Sequence, residues 1–74
     1  MNRYQLDVRN LICPMPVIRT QSRVSELSCG DVLEVTATDP GALHDLSAWC
    51  RVHGHHILRA ETRDGLVHFT LRVA

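Results

Sequence analysis

The residues with the clearest potential for chemistry lie in segment 11–16, where Cys13 stands directly before two prolines that are one residue apart. Proline is tolerated in the first turn of a helix, because the backbone N–H has no intrahelical acceptor there. We therefore predict a helix with Pro14 at its first position and Pro16 at its third, which makes Cys13 the N-cap. The helix dipole and the unpaired N–H of Met15 would then favour the thiolate, the reactive form of cysteine. The alternative is a buried structural cysteine that precedes a helix.

A second group of sulfur and imidazole side chains consists of Cys29, Cys50, His53, His55 and His56. The spacing Cys50-x-x-His53 suggests half of a zinc site, but Cys29 is distant in sequence and there is no second close pair. The alternative is a polar helix terminus whose histidines interact with the negative end of the helix dipole. We expect no metal here, and we interpret Cys29 and Cys50 as ordinary small hydrophobic residues.

Length and composition argue against several classes of protein. A chain of 74 residues buries only about 60% of its unfolded surface, which is too little to enclose a deep active site. Basic and acidic residues number 8 each, so the zero net charge argues against a nucleic-acid binder held by phosphate contacts. The three cysteines lack a disulfide-framework spacing, and neither a signal segment nor an apolar run of membrane length is present. We expect one small, soluble, cytoplasmic domain over residues 1–74, monomeric and without a cofactor.

The first half of the chain predicts a strand, a helix and a second strand. Residues 4–8 alternate between apolar and polar side chains, as a half-buried strand does, and Asn10 then tolerates the positive φ of a turn. Helix 1 is predicted from Pro14 to about Leu27, and strand 2 from Val32 to Thr38. The predicted inward positions of these two elements are Val17, Thr20, Val24, Leu27, Leu33, Val35 and Ala37.

The second half predicts a helix and a hairpin. Asp39 is predicted as the N-cap of helix 2, with Pro40 at its first position and Gly54 at its end. Strands 56–63 and 66–73 flank Asp64-Gly65, a pair that favours a type I′ turn. The buried side of helix 2 is predicted to hold Leu43, Leu46, Trp49 and Cys50. Counting outward from the turn pairs Thr62 with Val67, Ala60 with Phe69, Leu58 with Leu71, Arg59 with Thr70, and Glu61 with His68.

The order β-α-β-α-β-β predicts an α/β fold, a two-layer sandwich with a four-stranded mixed sheet. Both helices should cover one face of the sheet and leave the other open to water. Right-handed crossovers make the first three strands parallel, so loops 10–13 and 38–41 and the 64–65 turn share one edge. The histidines of the second group lie at the opposite edge, which leaves His68 as the one candidate base for Cys13. We therefore expect the helix end alone to activate Cys13, with Arg19 as the nearest cation.

Beside the cysteine, Met15, Ile18 and Arg19 are predicted to lie together on the flank of helix 1. This group has two interpretations, which the residues alone do not separate. Met15 either fills a gap in the core or belongs to an exposed patch on which a partner docks.

Taken together, these residues resemble the TusA/SirA family of small sulfur-carrier proteins over nearly the whole chain. The resemblance implies a sandwich similar to the C-terminal domain of bacterial translation initiation factor three. It is most specific in the Cys-Pro-x-Pro element followed at this distance by Asp-Pro-Gly. The matching segments are Leu6-Asp7, residues 10–16, Gly30-Asp31-Val32-Leu33, Thr38-Asp39-Pro40-Gly41, Asp45 and the closing hairpin.

The resemblance also implies a function. Cys13 would carry sulfur as a persulfide, in a sulfurtransferase that acts as a protein carrier rather than as a stand-alone catalyst. The donor would be a cysteine desulfurase or a rhodanese, and the acceptor a sulfurtransferase thiol of the TusBCD or DsrEFH kind. Such relays serve thiolation of the tRNA wobble uridine or sulfur oxidation. From the neutral charge and the lack of a long apolar run we expect no direct contact of this domain with nucleic acid or membrane. The implied supporting residues are Pro14, Met15, Pro16, Arg19 and Asp39, and the implied partner-binding residues are Met15, Ile18, Arg19, Arg23 and Asp45.

The chain departs from the family pattern at two places. Many members have glycine at the position of Asn10, a mild change because asparagine tolerates the same backbone. Many also have a basic pair at the position of Gln21-Ser22, which bears on partner choice because such charges steer docking. Two other functions remain as alternatives to sulfur transfer. The first is a regulatory module that binds partners through Met15 and Ile18, and the second is a redox-sensing thiol, which needs a resolving cysteine near Cys13.

Overall fold

The computed structural model describes residues 2–74 and has the predicted element order. The strands are β1 (Arg3–Val8), β2 (Val32–Ala37), β3 (His56–Arg63) and β4 (Leu66–Arg72), and the helices are α1 (Met15–Val24) and α2 (Ala42–His53).

The four strands form one mixed sheet in the order β1-β2-β4-β3. β1 pairs with β2 in parallel, and β4 is antiparallel to both β2 and β3. Because β2 and β3 both run against β4, the first three strands point in the same direction, as predicted. Both helices pack on the same face, α1 against β1 and β2, and α2 against β3 and β4. The predicted two-layer α/β sandwich is confirmed.

The core lies between the helices and the sheet and follows the predicted alternation. Leu33, Val35 and Ala37 of β2 are at most 2% exposed, and Phe69 and Leu71 of β4 are fully buried. From the helices, Thr20 and Leu46 are fully enclosed. The other helix positions predicted to face inward are either buried or half-buried against this cluster: Val17, Val24, Leu27, Leu43, Trp49 and Cys50.

Both helices begin later than predicted, so the predicted N-caps at Cys13 and Asp39 are wrong. The N–H of Met15 donates to the carbonyl oxygen of Ile12 at 2.8 Å, which closes a turn before α1 and leaves Pro14 as the N-cap. The N–H of Ala42 donates to the carbonyl oxygen of Asp39 at 3.0 Å, so a turn with proline at its second position precedes α2. The N-cap of α2 is Gly41.

The helix ends differ in how well they match the prediction. α2 ends at Gly54, whose φ of 77° lies in the left-handed region that glycine adopts without strain. α1 ends at Val24 rather than Leu27, because the N–H groups of Glu26 and Leu27 donate to carbonyls three residues back and tighten the chain into turns.

The closing hairpin has the predicted turn but not the complete predicted register. Asp64 and Gly65 have φ values of 53° and 78°, as a type I′ turn requires. A β-bulge between Ile57 and Arg59 shifts the pairing, so the predicted Leu58–Leu71 pair is wrong and Ile57 lies opposite Leu71. The confirmed pairs are Thr62–Val67, Ala60–Phe69, Arg59–Thr70 and Glu61–His68.

Within residues 2–74, every helix is too short or too polar to cross a membrane.

Candidate functional site

The loops that follow β1 and β2 meet at one edge of the sheet, as the sequence predicts. Asn10 turns the chain after β1 with a φ of 67°. Its backbone N–H donates to Thr38 Oγ1 at 2.9 Å, which ties the loop before Cys13 to the loop after β2. The Asp64-Gly65 turn lies at the same end of the sheet, but it joins β3 to β4, away from the β1–β2 pair.

Cys13 is exposed in the turn between β1 and α1, and its sulfur contacts the start of α2. Its Sγ donates a hydrogen bond to Asp45 Oδ2 at 3.4 Å. Asp45 lies in the first turn of α2, where its backbone N–H donates to the carbonyl oxygen of Gly41 at 3.1 Å. The sequence suggested Asp45 only as a partner-binding residue, through the family resemblance. The contact joins residues that are 32 positions apart.

The local electrostatics hold Cys13 as a thiol, and the predicted preference for thiolate is wrong. The hydrogen bond to Asp45 raises the pKa of Cys13 above its ordinary value of 9.0, and partial desolvation and the negative charges of Asp45 and Asp39 raise it further. The expected stabilising donor, the N–H of Met15, is already bound to the carbonyl of Ile12. The site therefore favours the protonated, neutral thiol of Cys13, which lies next to two carboxyl groups.

Asp39 and Asp45 converge above Gly41. A Cβ built on Gly41 would lie 3.3 Å from Asp39 Oδ2 and 3.8 Å from Asp45 Oδ2. Both residues are half-buried. Within the part of the chain that the structure describes, neither carboxylate forms an ion pair with a basic side chain.

Apolar side chains flank the cysteine on both sides. Ile12 is 73% exposed and Ile18 is 49% exposed, whereas Met15 is half-buried and Pro16, in the first turn of α1, is buried. Sequence reasoning missed Ile12, although an isoleucine in a loop, outside the stripe of any element, was the available signal.

The two arginines that we predicted to bind partners, Arg19 and Arg23, differ in how their side chains are held. Arg19 is exposed. Arg23 is held by an ion pair of 3.0 Å with Glu26 and by its position 4.9 Å from the centre of the Tyr4 ring.

The second cysteine and histidine group does not assemble. Cys50, which we interpreted as a small hydrophobic residue, is fully buried, and burial raises its pKa to about 11. Cys29, interpreted in the same way, is exposed. Among residues 2–74, no three cysteine, histidine or acidic side chains come together to hold a metal ion.

Two histidines of that group, His53 and His55, contact other residues. The Trp49 ring packs 5.1 Å from the His53 ring and 5.0 Å from the His55 ring. His55 Nδ1 accepts a hydrogen bond of 3.0 Å from the backbone N–H of Ala74. His68, the one candidate base, lies within β4, opposite Thr36 of β2 and Glu61 of β3.

Comparison with known proteins agrees with the geometry. The family model described as sulfurtransferase TusA matches residues 4–73. A Neisseria meningitidis serogroup A protein named "putative sulfur carrier protein" is 47% identical over 73 residues, which cover 99% of this chain and 96% of that protein. The sulfur carrier protein TusA of Allochromatium vinosum is 34% identical over 68 residues, covering 92% and 90% of the two chains.

The fold is shared with a solved structure. The SirA-like protein of Desulfitobacterium hafniense superimposes with a TM-score of 0.83 and 24% identity, covering 96% of this chain and 97% of that one.

Proposed function

The chain belongs to the TusA family, and from this premise we propose that it is a sulfur carrier in which Cys13 holds sulfur as a persulfide. Carriers of this family interact with a protein that donates the sulfur and with a protein that accepts it. The proposal assigns both transfers to one sulfur atom, Cys13 Sγ.

The observation that carries the proposal is the exposure of Cys13 in a turn at the edge of the sheet. Both halves of the transfer require another protein's sulfur atom to approach in line with the S–S bond that forms or breaks, so a carrier cysteine has to be accessible. A buried structural cysteine lacks this accessibility, and Cys50 of the same chain is an example, because it is fully buried.

The transfer is a pair of thiol–persulfide exchanges. The Cys13 thiolate attacks the terminal sulfur of the donor persulfide, the donor S–S bond breaks, and the donor cysteine leaves as a thiolate that takes up a proton. Cys13 then carries –S–SH. In the second exchange the acceptor thiolate attacks that terminal sulfur, and Cys13 leaves as a thiolate and is protonated again. No net oxidation occurs, because the sulfane sulfur only changes its partner.

The surface around Cys13 suits docking of donor and acceptor. The proposed contact area combines the exposed apolar side chains of Ile12 and Ile18 with the half-buried Met15 and the exposed Arg19. Pro14 fixes φ in the turn that presents Cys13, and Pro16 lies in the first turn of α1, which follows it. The carboxylates of Asp39 and Asp45 lie beside the same area, whereas Arg23, also proposed to bind partners, lies in the last turn of α1 against Tyr4 and Glu26.

The proposed donor is a cysteine desulfurase or a rhodanese, and the proposed acceptor is a sulfurtransferase thiol of the TusBCD or DsrEFH kind. The two relays that such partners serve are tRNA thiolation and sulfur oxidation. In either relay this chain contacts proteins rather than nucleic acid, because its formal net charge is zero.

The exposed apolar pair Ile12 and Ile18 also favours a second candidate, a regulatory module that binds a partner without moving sulfur. The two candidates differ in what they require of the thiol. Binding that survives Cys13→Ser, with no persulfide formed on the unmodified protein, would support the second.

The experiment is an intact-mass measurement after incubation with a cysteine desulfurase and cysteine, and separately with a rhodanese and thiosulfate. We expect a gain of one sulfur atom that reductant removes. Cys13→Ser should abolish the gain, whereas the matched control Cys29→Ser, which removes the other exposed thiol, should retain it. A gain that persists in Cys13→Ser, or no gain with either donor while Cys13 still alkylates, contradicts the proposal.

A further inference from the structure

The contact between Cys13 and Asp45 is unusual for a sulfur that has to act as a nucleophile. A carboxylate that accepts a hydrogen bond from the S–H group and adds negative charge beside it disfavours the thiolate, the form that attacks. A carrier that relied on its own reactivity would benefit from a cation at this position. The chain instead places Asp45 there, with Asp39 behind it.

We propose that Asp45 is a positioning residue that holds the Cys13 sulfur as a thiol against α2 and releases it when a cationic group of a docking partner neutralises the carboxylate. This inference rests on the proposed carrier function, because the reactivity of the thiol matters only if Cys13 exchanges sulfur. It makes Asp45 a determinant of which proteins can load or unload the carrier.

The geometry supports each half of the inference. The Sγ–Oδ2 contact of 3.4 Å fixes the direction of the S–H bond toward α2. Asp39 and Asp45 converge on the same point above Gly41, and neither forms an ion pair within residues 2–74. Two uncompensated carboxylates beside an exposed thiol attract a cation from outside the chain.

The other charged groups around the site do not supply that cation. In the loop after β1, the guanidinium of Arg9 is held by both carboxylate oxygens of Asp7, at 2.9 and 2.8 Å. On α1, Arg19 is exposed and lies more than one helical turn beyond Cys13, and Arg23 is paired with Glu26. The charges that shift the pKa of Cys13 are those of Asp45 and Asp39.

The release step is balanced without any further reactant. When a lysine or arginine side chain of the partner approaches Asp45, the carboxylate exchanges its S–H contact for an ion pair. The thiol proton then passes to solvent, and the thiolate that remains attacks the donor persulfide. When the partner leaves, Cys13 takes a proton from water and returns to Asp45.

The first test is the pH dependence of the reaction of Cys13 with 4,4′-dithiodipyridine, a neutral disulfide, in a Cys29→Ser background. Removing a like charge at hydrogen-bond distance in Asp45→Asn should lower the midpoint of the profile by about one pH unit. Below the midpoint the rate should rise only about threefold, because tenfold more thiolate is offset by its lower intrinsic nucleophilicity. On the high-pH plateau the rate should fall about threefold, so the two profiles cross.

The crossing of the two pH–rate profiles distinguishes a change in the pKa of Cys13 from a general structural effect of the substitution. A variant that merely loosens the loop changes the rate in the same direction at every pH, which would overturn the inference. An unchanged midpoint in Asp45→Asn would overturn it as well. Asp39→Asn should shift the midpoint in the same direction by less. Asp64→Asn, the same charge change in the hairpin turn, should leave the profile unchanged, and asparagine tolerates the positive φ of that position.

The second test asks whether a cation releases the thiol. Cystamine, a disulfide with two ammonium groups, is compared with the uncharged 2-hydroxyethyl disulfide, and the ratio of the two rates is measured for each variant at low salt. The ratio should fall by about fivefold in Asp45→Asn, the factor expected for two charges about 4 Å apart in water. The difference should disappear in 1 M salt. An identical ratio in both proteins would overturn the proposed role of a partner cation.

These tests are independent of sulfur transfer. If no persulfide ever forms on Cys13, the profiles still report whether Asp45 controls the thiol. If Cys13 is loaded by a desulfurase but the profiles of Asp45→Asn and the parent coincide, the role of Asp45 is wrong and the carrier function stands.

Discussion

Thr20, in the helix that follows Cys13, offers a substitution that should stabilise the protein. Its side chain is fully enclosed at 0% exposure, and its Oγ1 finds no hydrogen-bond partner within residues 2–74. Burying a hydroxyl without a partner costs about 1–3 kcal/mol relative to an apolar group of the same shape. Valine has that shape, so Thr20→Val should raise the free energy of unfolding by about 1 kcal/mol, the lower end of this range. For a domain of this size that corresponds to an increase in Tm of about 4–8 °C.

Urea and thermal unfolding followed by far-UV circular dichroism measure this change. Thr20→Ser, which keeps the hydroxyl and removes the buried methyl, should instead lose about 1 kcal/mol. Thr70→Val makes the same chemical change at a residue that is 7% exposed and whose hydroxyl is not one of the fully buried polar atoms without a partner, so we expect no comparable gain. If Thr20→Val lowers the stability, the hydroxyl makes a favourable contact and the reasoning about its burial is refuted.

Three further predictions concern the parts of the fold that frame the site. Asp31 accepts backbone hydrogen bonds from Ser28 and Asn2, which lower its pKa. Its contribution to stability should therefore be present above the unfolded pKa and be lost as the pH falls through the lower folded value. Asp31→Asn should flatten the acid limb of a plot of unfolding free energy against pH, and an unchanged limb would contradict this. Gly65→Ala should lower Tm by about 4–16 °C, because an L side chain at positive φ costs about 1–2 kcal/mol. Gly65→Asn should cost less, and equal losses in a thermal scan would contradict the backbone argument. Cys50 should resist iodoacetamide in the folded protein, because it is buried and burial raises its pKa to about 11, and it should react once urea unfolds the chain. Peptide mapping measures this labelling, and labelling of Cys50 as fast as that of the exposed Cys29 would contradict its burial.

Most of the fold could be predicted because its signals are local. The alternation of apolar and polar residues in β2 predicts which of its side chains are buried. Asp64-Gly65 predicts the hairpin turn and Gly54 predicts the end of α2, and all three residues have the positive φ that these positions require. The register of the hairpin followed from counting outward from that turn. It failed at Leu58, because two consecutive apolar residues, Ile57 and Leu58, give no signal for which of them is the extra residue of a bulge.

The site was harder to predict than the fold, because a displacement of one or two residues changes the chemistry. Cysteine or aspartate before proline is typical of a helix start, but the same pattern also forms the tight turns that precede α1 and α2 here. With Cys13 before the N-cap, its sulfur faces α2 rather than the free N–H groups of α1. Its contact with Asp45 depends on how the two helices pack, which no local pattern in the sequence specifies.

The measurement that tests the central claim most directly is a complete transfer cycle with labelled sulfur. The protein is loaded by a cysteine desulfurase with ³⁵S-cysteine, separated from the donor, and mixed with an acceptor sulfurtransferase that carries a free thiol. We expect the label to be found on the Cys13 peptide before mixing and on the acceptor afterwards, in matching amounts, with none carried by Cys13→Ser. Label that resides on Cys29, or that stays on Cys13 when the acceptor is present, would contradict the account.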